Sequence, residues 1–182
     1  SEGTLSAGFS LNSVLGVKPS VYALMIQNVH NTYSLRVDHK MGVGDYQVAS
    51  LVEVASQSDP SFISGDSVSR ESYFYRLYTD VVRAALTTGI GYEVLGEKKG
   101  SSVGGFSTPL ATLHKYQGWS DVLLSSISGG TDAGLTDFFL KGAFDAGSLG
   151  QVKMTYHVFN SIIGSKSIGS ELDACWKYAL SD

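Results

Sequence analysis

Residues 71–96 alternate between apolar and polar side chains with a period of two, and this alternation constrains the fold more than any other feature of the sequence. Side chains on a β-strand point to opposite faces in turn, whereas a helix repeats about every 3.6 residues. The stretch therefore predicts two successive strands that share one oily, aromatic face. Their other face carries Arg76, Asp80 and Glu93 beside glycines, and we interpret it as the wall of a wet cavity rather than a packed core.

The same two-faced pattern recurs along most of the chain. It predicts about nine strands of roughly ten residues, far more strand than the usual quarter or so. The connections alternate between short and long, which is typical of an antiparallel meander. We expect a single domain over residues 1–182, with a long loop at about 97–134. The predicted strands are 4–12, 21–28, 32–41, 46–57, two within 71–96, 135–144, 151–159 and 170–180.

Composition excludes several classes of protein. The net charge is −4, so the chain lacks the basic surface that nucleic-acid binding needs. Its one cysteine, Cys175, rules out an internal disulfide and a thiolate metal cluster. No apolar run reaches the length of about 18 residues that a transmembrane helix needs, but a barrel strand needs only about 9–11 residues. A membrane β-barrel and a soluble β-sandwich both remain open.

Three features favour the membrane barrel. The predicted strands are longer than the usual mode of about five or six residues. Charged residues lie near mid-strand on the polar face, at Arg36, Glu53, Arg76 and Lys141. Aromatic residues lie near strand ends on the apolar face, where interfacial girdles occur, at Tyr33, Tyr46, Tyr73, Tyr92, Trp176 and Tyr178. The predicted fold class is therefore all-β: an antiparallel meander that forms a transmembrane β-barrel.

Four segments of the sequence carry a family resemblance. They are VASQSD at 54–59, GYEVLG at 91–96, FSTPLATLHKYQGWSD at 106–121 and GSELD at 169–173. In this order and spacing they resemble the alginate-export family of Gram-negative outer-membrane β-barrels. The segment 106–121 is the most specific of the four, and the resemblance runs from about residue 20 to the end of the chain.

This resemblance implies a barrel of about 18 strands that acts as a passive pore, in the type member for an anionic exopolysaccharide. The chain resembles the second half of such a barrel. It is therefore expected to be a barrel portion, a naturally short barrel, or one of two copies that pair edge to edge. A closed barrel of about nine strands would be narrow and filled by its own side chains, and an open sheet edge in lipid is costly.

The charged residues of the polar faces are the candidate pore-lining residues. Six cations stand against seven acids, whereas a conduit for polyanionic alginate should be dominated by Arg and Lys. The alternative is that these charges form cross-strand ion pairs, and a two-residue turn at Ala84 and Ala85 would set Glu93 opposite Arg76. The candidates are Arg36, Asp38, Lys40, Glu53, Arg76, Asp80, Glu93, Asp137, Lys141, Lys153, Glu171, Asp173 and Lys177.

The long loop is a candidate constriction. Long segments without regular structure are often functional, so this one could fold inward and narrow the pore. The alternative is a surface loop in which Trp119 packs against the barrel rim. The residues expected at the constriction are His114, Lys115, Tyr116, Trp119 and Asp121.

We expect no enzymatic activity, no cofactor and no metal. The four histidines show no ligand spacing, and the serine-rich segments lack a nucleophile elbow. The predicted function is a porin-like channel of the bacterial outer membrane. It would pass hydrophilic solutes, oligosaccharide or anionic polysaccharide by diffusion, with the lipid bilayer and those solutes as partners and no nucleic acid. The alternatives are a non-conducting structural barrel and a soluble β-sandwich or lipocalin-like binder.

Overall fold

The computed structural model describes residues 3–59, 70–100, 104–108, 118–120 and 131–178. Within these ranges, nine strands form one antiparallel sheet in chain order, which confirms the predicted all-β meander. Two single-turn 3₁₀ segments, Gly147–Leu149 and Ile163–Ser165, lie in connections. No helix within the described ranges combines the length and the apolar character that crossing a membrane requires. The strands are β1 (Thr4–Ser10), β2 (Val17–Ile26), β3 (His30–Val43), β4 (Tyr46–Ser58), β5 (Ser72–Arg83), β6 (Leu86–Leu95), β7 (Leu135–Asp145), β8 (Gln151–Asn160) and β9 (Ser167–Lys177).

The connections define two ends of the sheet. The turn end has the connections 11–16, 44–45, 84–85 and 146–150, and the loop end has 27–29, 59–71, 96–134 and 161–166. Two-residue hairpin turns need residues with positive φ, because such turns match the right-handed twist of the strands. Gly44 has a φ of 58° and Ala84 a φ of 48°. The predicted alternation of short and long connections between β3 and β9 is confirmed.

The sheet is open. In the part of the chain that the structure describes, β1 pairs only with β2 and β9 only with β8. These nine strands therefore do not form the closed barrel that the sequence predicts. Because neighbouring strands alternate in direction and the number of strands is odd, β1 and β9 run the same way.

The two faces of the sheet differ in chemistry. The apolar face carries large side chains from every strand, and no layer of the described residues covers it. The opposite face, here called the polar face, carries the charged residues of the strands except Arg83, the last residue of β5. The exposed fraction lies between 44% and 63% for one apolar-face residue chosen from each strand: Phe9, Val21, Leu35, Val52, Leu77, Ile90, Leu140, Tyr156 and Leu172.

Near the loop end, the polar face is packed rather than wet. Phe106, from the connection 96–134, lies in a buried cluster with Leu95, Leu135 and Phe159. Phe74 and Ala55 pack against this cluster, and the rings of Phe74 and Phe106 stack with centroids 5.3 Å apart. The interpretation of the polar face as a wet wall along its whole length is therefore wrong for this end, because an apolar side chain from outside the sheet fills it.

Candidate functional site

A row of charged residues crosses the polar face and is the centre of the candidate site. Adjacent members are paired in the backbone register, so their side chains lie side by side on one face. The two-residue turns at 44–45 and 84–85 are too short to allow a register shift between β3 and β4 or between β5 and β6. The row contains one residue from each of β3 to β7, in the order Arg36, Glu53, Arg76, Glu93 and Asp137.

The row contains the ion pair expected from the turn at Ala84 and Ala85. Arg76 lies opposite Glu93, and its Nε atom is 3.2 Å from Glu93 Oε2. Arg36 pairs along its own strand instead, donating from Nε and Nη2 to the two carboxylate oxygens of Asp38 at 2.8 and 2.6 Å. The prediction that Glu93 faces Arg76 is confirmed.

Two glycines of β6 let side chains cross that strand. The Lys141 ammonium reaches over Gly89 to Asp80, with Nζ 2.9 Å from Oδ1, and a Cβ at Gly89 would overlap both side chains. A Cβ at Gly91 would overlap the ring of Phe139. Lys141 Nζ also lies 4.6 Å from the centre of the Tyr78 ring, within the range of a cation–π contact.

His157 lies between two carboxylates on the polar face. Its Nδ1 atom is 2.8 Å from Asp137 Oδ2, and its Nε2 atom is 3.6 Å from Asp173 Oδ2. The rings of Phe139 and Phe159 flank the imidazole, each with its centroid 5.5 Å away. A general base needs its second nitrogen near a hydroxyl or water, but here that nitrogen faces a carboxylate. Among the described residues, no group of three or more His, Cys, Asp or Glu side chains could hold a metal ion.

Two sets of hydrogen bonds, here called the first and the second tether, attach parts of the connection 96–134 to the polar face. The first tether fixes residues 104–108. The Gln57 side chain donates to the Ser107 carbonyl at 2.6 Å and accepts from the Ser107 N–H at 2.9 Å, and both bonds are buried. The Arg70 guanidinium donates to the Gly105 carbonyl at 2.9 Å. Burial lowers the pKa of Arg70, but an arginine remains protonated in proteins. Together with Phe106, these contacts hold the segment against β4 and β5.

The second tether fixes residues 118–120 to the far side of the same face. The Glu171 carboxylate on β9 accepts hydrogen bonds from the N–H groups of Trp119 and Ser120, at 2.6 and 2.7 Å, and from the Ser120 hydroxyl. Gly118 has a φ of 86°, and a Cβ there would overlap the Glu171 carboxylate. The connection 96–134 thus contacts the polar face at β4 and β5 and again at β9.

The register places all thirteen predicted pore-lining residues on the polar face. Of the predicted constriction residues, Trp119 lies at the second tether, whereas His114, Lys115, Tyr116 and Asp121 lie outside the described residues. The sequence interpretation missed Gln57, Arg70 and Phe106. Gln57 lies on the same face of its strand as Glu53. This shared face is the only local feature of the sequence that points to a role for Gln57 on the polar face.

The fold and site define a single-sheet antiparallel β protein with one exposed apolar face and one ion-paired polar face. A scan against protein-family models finds no match for the chain, and a search of curated proteins finds none either. The resemblance to the alginate-export family therefore stays a prediction from the sequence.

Proposed function

We propose that the chain forms part of the wall of a β-barrel channel in the bacterial outer membrane. The observation that carries the proposal is the apolar face, which stays open to solvent across all nine strands. Monomeric soluble proteins rarely expose a contiguous apolar patch of more than a few hundred Å². Lipid would cover this face, and full burial of a large apolar side chain contributes about 1.5–3 kcal/mol.

The apolar face has the height of a membrane-spanning band. Tyr46 marks its turn end, and Tyr33 and Tyr73, which both pair with Ser56, mark its loop end. From Tyr46 to Ser56, β4 advances ten residues, or about 33 Å at about 3.3 Å per residue. A strand tilt of about 40° reduces this length to a height of about 25 Å, which matches the outward apolar band of outer-membrane barrels.

A soluble β-sandwich or lipocalin-like binder is the weaker candidate. A sandwich buries the apolar faces of two sheets against each other at a spacing of about 10 Å. The described strands belong to one sheet, and the side chains of its apolar face are about half exposed. A soluble binder would therefore need a second layer over this face.

The polar face would line the lumen. Its paired charges make a hydrophilic wall without a dominant sign. The two tethers hold residues 104–108 and 118–120 against that wall, and in a closed barrel these residues would narrow the lumen. We infer that hydrophilic solutes, including oligosaccharides or anionic polysaccharide, pass by diffusion. This transport requires no cofactor and no chemical step.

The direction of the edge strands favours one way of completing the barrel. A second copy rotated about the barrel axis would pair its β9 parallel to β1, since both strands run the same way. Bacterial outer-membrane barrels are built from antiparallel strands in even number. Further antiparallel strands beside β1 and β9 therefore fit better than a second copy.

Planar-bilayer recording of the intact protein, purified in detergent from outer membranes, tests the proposal. A channel gives discrete conductance steps that are absent when detergent alone is added. A protein that stays monodisperse in aqueous buffer without detergent would contradict the proposal and favour the soluble binder.

A non-conducting structural barrel is the second candidate. The observation that favours it is the buried cluster around Phe106, which fills the polar face near the loop end. Such a barrel would require detergent and yet give no conductance steps under the same conditions.

A further inference from the structure

Ion pairing neutralises six of the charged residues on the polar face. Three cations and three acids neutralise one another, and the shortest nitrogen–oxygen distances in these pairs are 2.6 to 3.2 Å. Such contacts leave little net field around the pair at physiological salt. The pairs are Arg36 with Asp38, Arg76 with Glu93, and Lys141 with Asp80.

The strand cations that remain lie at the turn end, whereas Arg70, from the connection 59–71, adds one buried cation at the loop end. Lys40, Lys153 and Lys177 each lie within three residues of the turn end of their strands, β3, β8 and β9. None of the three forms an ion pair with another described residue. Lys18, opposite Asp38 in the register, adds a fourth cation to this end of the face.

The acids that remain lie at mid-strand or toward the loop end, except Asp145, which ends β7 at the turn end of the polar face. Asp137 is the third residue of β7 counted from its loop end, and Glu171 is the fifth of β9. Glu53 and Asp173 lie near the middle of their strands. His157 lies between Asp137 and Asp173, with nitrogen–oxygen distances of 2.8 and 3.6 Å, so this single imidazole can offset at most one of the two negative charges.

The two groups cancel only in part, because they meet at mid-strand. Asp173 lies four residues from Lys177 on β9 and pairs in the register with Thr155, two residues from Lys153. Toward the strand ends the charges are farther apart, since Lys177 lies six positions after Glu171 on β9, or about 20 Å at about 3.3 Å per residue. The Debye length is only about 8 Å at physiological salt, so each end keeps its own potential. A cleft lined by one sign of charge concentrates ions of the opposite sign.

We propose that this separation makes the channel rectify, with Lys40, Lys153 and Lys177 as its anion-selecting residues at the turn end. The inference rests on the proposed channel function. Cations gather at the acidic loop end and anions at the basic turn end. A voltage that drives cations from the loop end toward the turn end carries both ions into the lumen and raises the current. The opposite voltage depletes both ions.

Single-channel recording of the intact protein in symmetric KCl tests the inference. At about 0.1 M, where the Debye length is about 10 Å, currents at equal and opposite voltages should differ. Their ratio should fall toward unity at about 1 M, where the Debye length is about 3 Å. Taking the ratio within one recording removes the effect of insertion direction, which changes only its sense.

Matched lysine variants locate the effect. The double variant Lys153→Gln/Lys177→Gln should lose most of the asymmetry at low salt. Lys166→Gln removes a cation from the loop-end connection 161–166 and should leave the current asymmetry unchanged or larger. Conductance steps with equal currents at both polarities would overturn rectification and leave the channel proposal standing, whereas an absence of steps would overturn both. Equal asymmetry in all three proteins would contradict the assignment to these lysines.

Discussion

Gly89 and Gly91 of β6 show how single residues shape the polar face. Without side chains, they let Lys141 reach Asp80 and let the Phe139 ring lie across the strand. A glycine inside a strand normally weakens it, because the unfolded chain has more freedom to lose. The contacts that cross these positions give a physical reason for the glycines.

Replacing Gly91 with alanine is expected to destabilise the protein. The new Cβ overlaps the Phe139 ring, and overpacking of this kind typically costs about 1–3 kcal/mol. Urea unfolding in detergent, followed by tryptophan fluorescence, measures the change in free energy of unfolding. Gly142→Ala on β7 is the control, since the nearest atom to its Cβ lies at 4.0 Å. Equal effects of the two substitutions would contradict the packing of Phe139 over Gly91.

Removing the Gln57 side chain is expected to release residues 104–108. Gln57→Ala leaves the Ser107 N–H and carbonyl buried without a partner, and each such group costs about 1–3 kcal/mol. Hydrogen exchange read by mass spectrometry should show faster exchange in the peptide that contains Phe106. Gln47→Ala removes an exposed glutamine from the same strand and should leave that exchange unchanged. Unchanged exchange in Gln57→Ala would mean that the Gln57 hydrogen bonds of the first tether do not hold residues 104–108 in place.

At the scale of strands, the sequence predicts most of the sheet. Alternation locates all nine strands, and the two-residue turn at 84–85 sets Glu93 opposite Arg76 because it allows no register shift. The pattern of β2 is ambiguous, since Leu24 and Ile26 are apolar and yet lie on the polar face. There they pair in the register with Thr32 and His30 of β3.

The tethers could not be predicted, because periodicity reports only local geometry. Gln57 and Ser107 are 50 residues apart, and the carboxylate that holds Trp119 and Ser120 follows them by 52 and 51 residues. Contacts between a loop and a strand leave no repeat in the sequence. The same limit explains why the sequence predicts a solvent-lined wall at the loop end, where the structure instead has the apolar cluster around Phe106.

Removing the Glu171 carboxylate is expected to free the second tether. In Glu171→Ala, the N–H groups of Trp119 and Ser120 lose a charge-assisted acceptor, a bond that contributes about 1.5–3 kcal/mol. Exchange of these amides should accelerate about tenfold or more, since about 1.4 kcal/mol is a tenfold change in an equilibrium. Glu171→Gln keeps an oxygen acceptor and should give an intermediate rate. Alanine and glutamine variants that both exchange like the wild type would contradict the tether.

At the scale of the whole molecule, the sheet has two unsatisfied features: its free edges and its apolar face. Lipid covers the face in the proposed channel, while neighbouring strands satisfy the edges, because unpaired backbone groups are costly in a bilayer. Both requirements are met at once by a larger closed barrel. A soluble protein would have to cover the face and protect the edges by separate means.

Arginine substitution at two depths distinguishes lipid from water around the apolar face. Val52 at the middle of β4 and Val43 at the turn end of β3 are the same residue type, and their exposed fractions are similar, at 47% and 52%. In a bilayer, arginine costs about 2–4 kcal/mol at the midplane and about 0–1 kcal/mol near the interface. Val52→Arg should therefore lower the free energy of unfolding from lipid vesicles by about 2–4 kcal/mol, and Val43→Arg by much less. Exposed substitutions in water usually stay within about 0.5 kcal/mol, so equal small costs at both depths would place the face in solvent and contradict the channel.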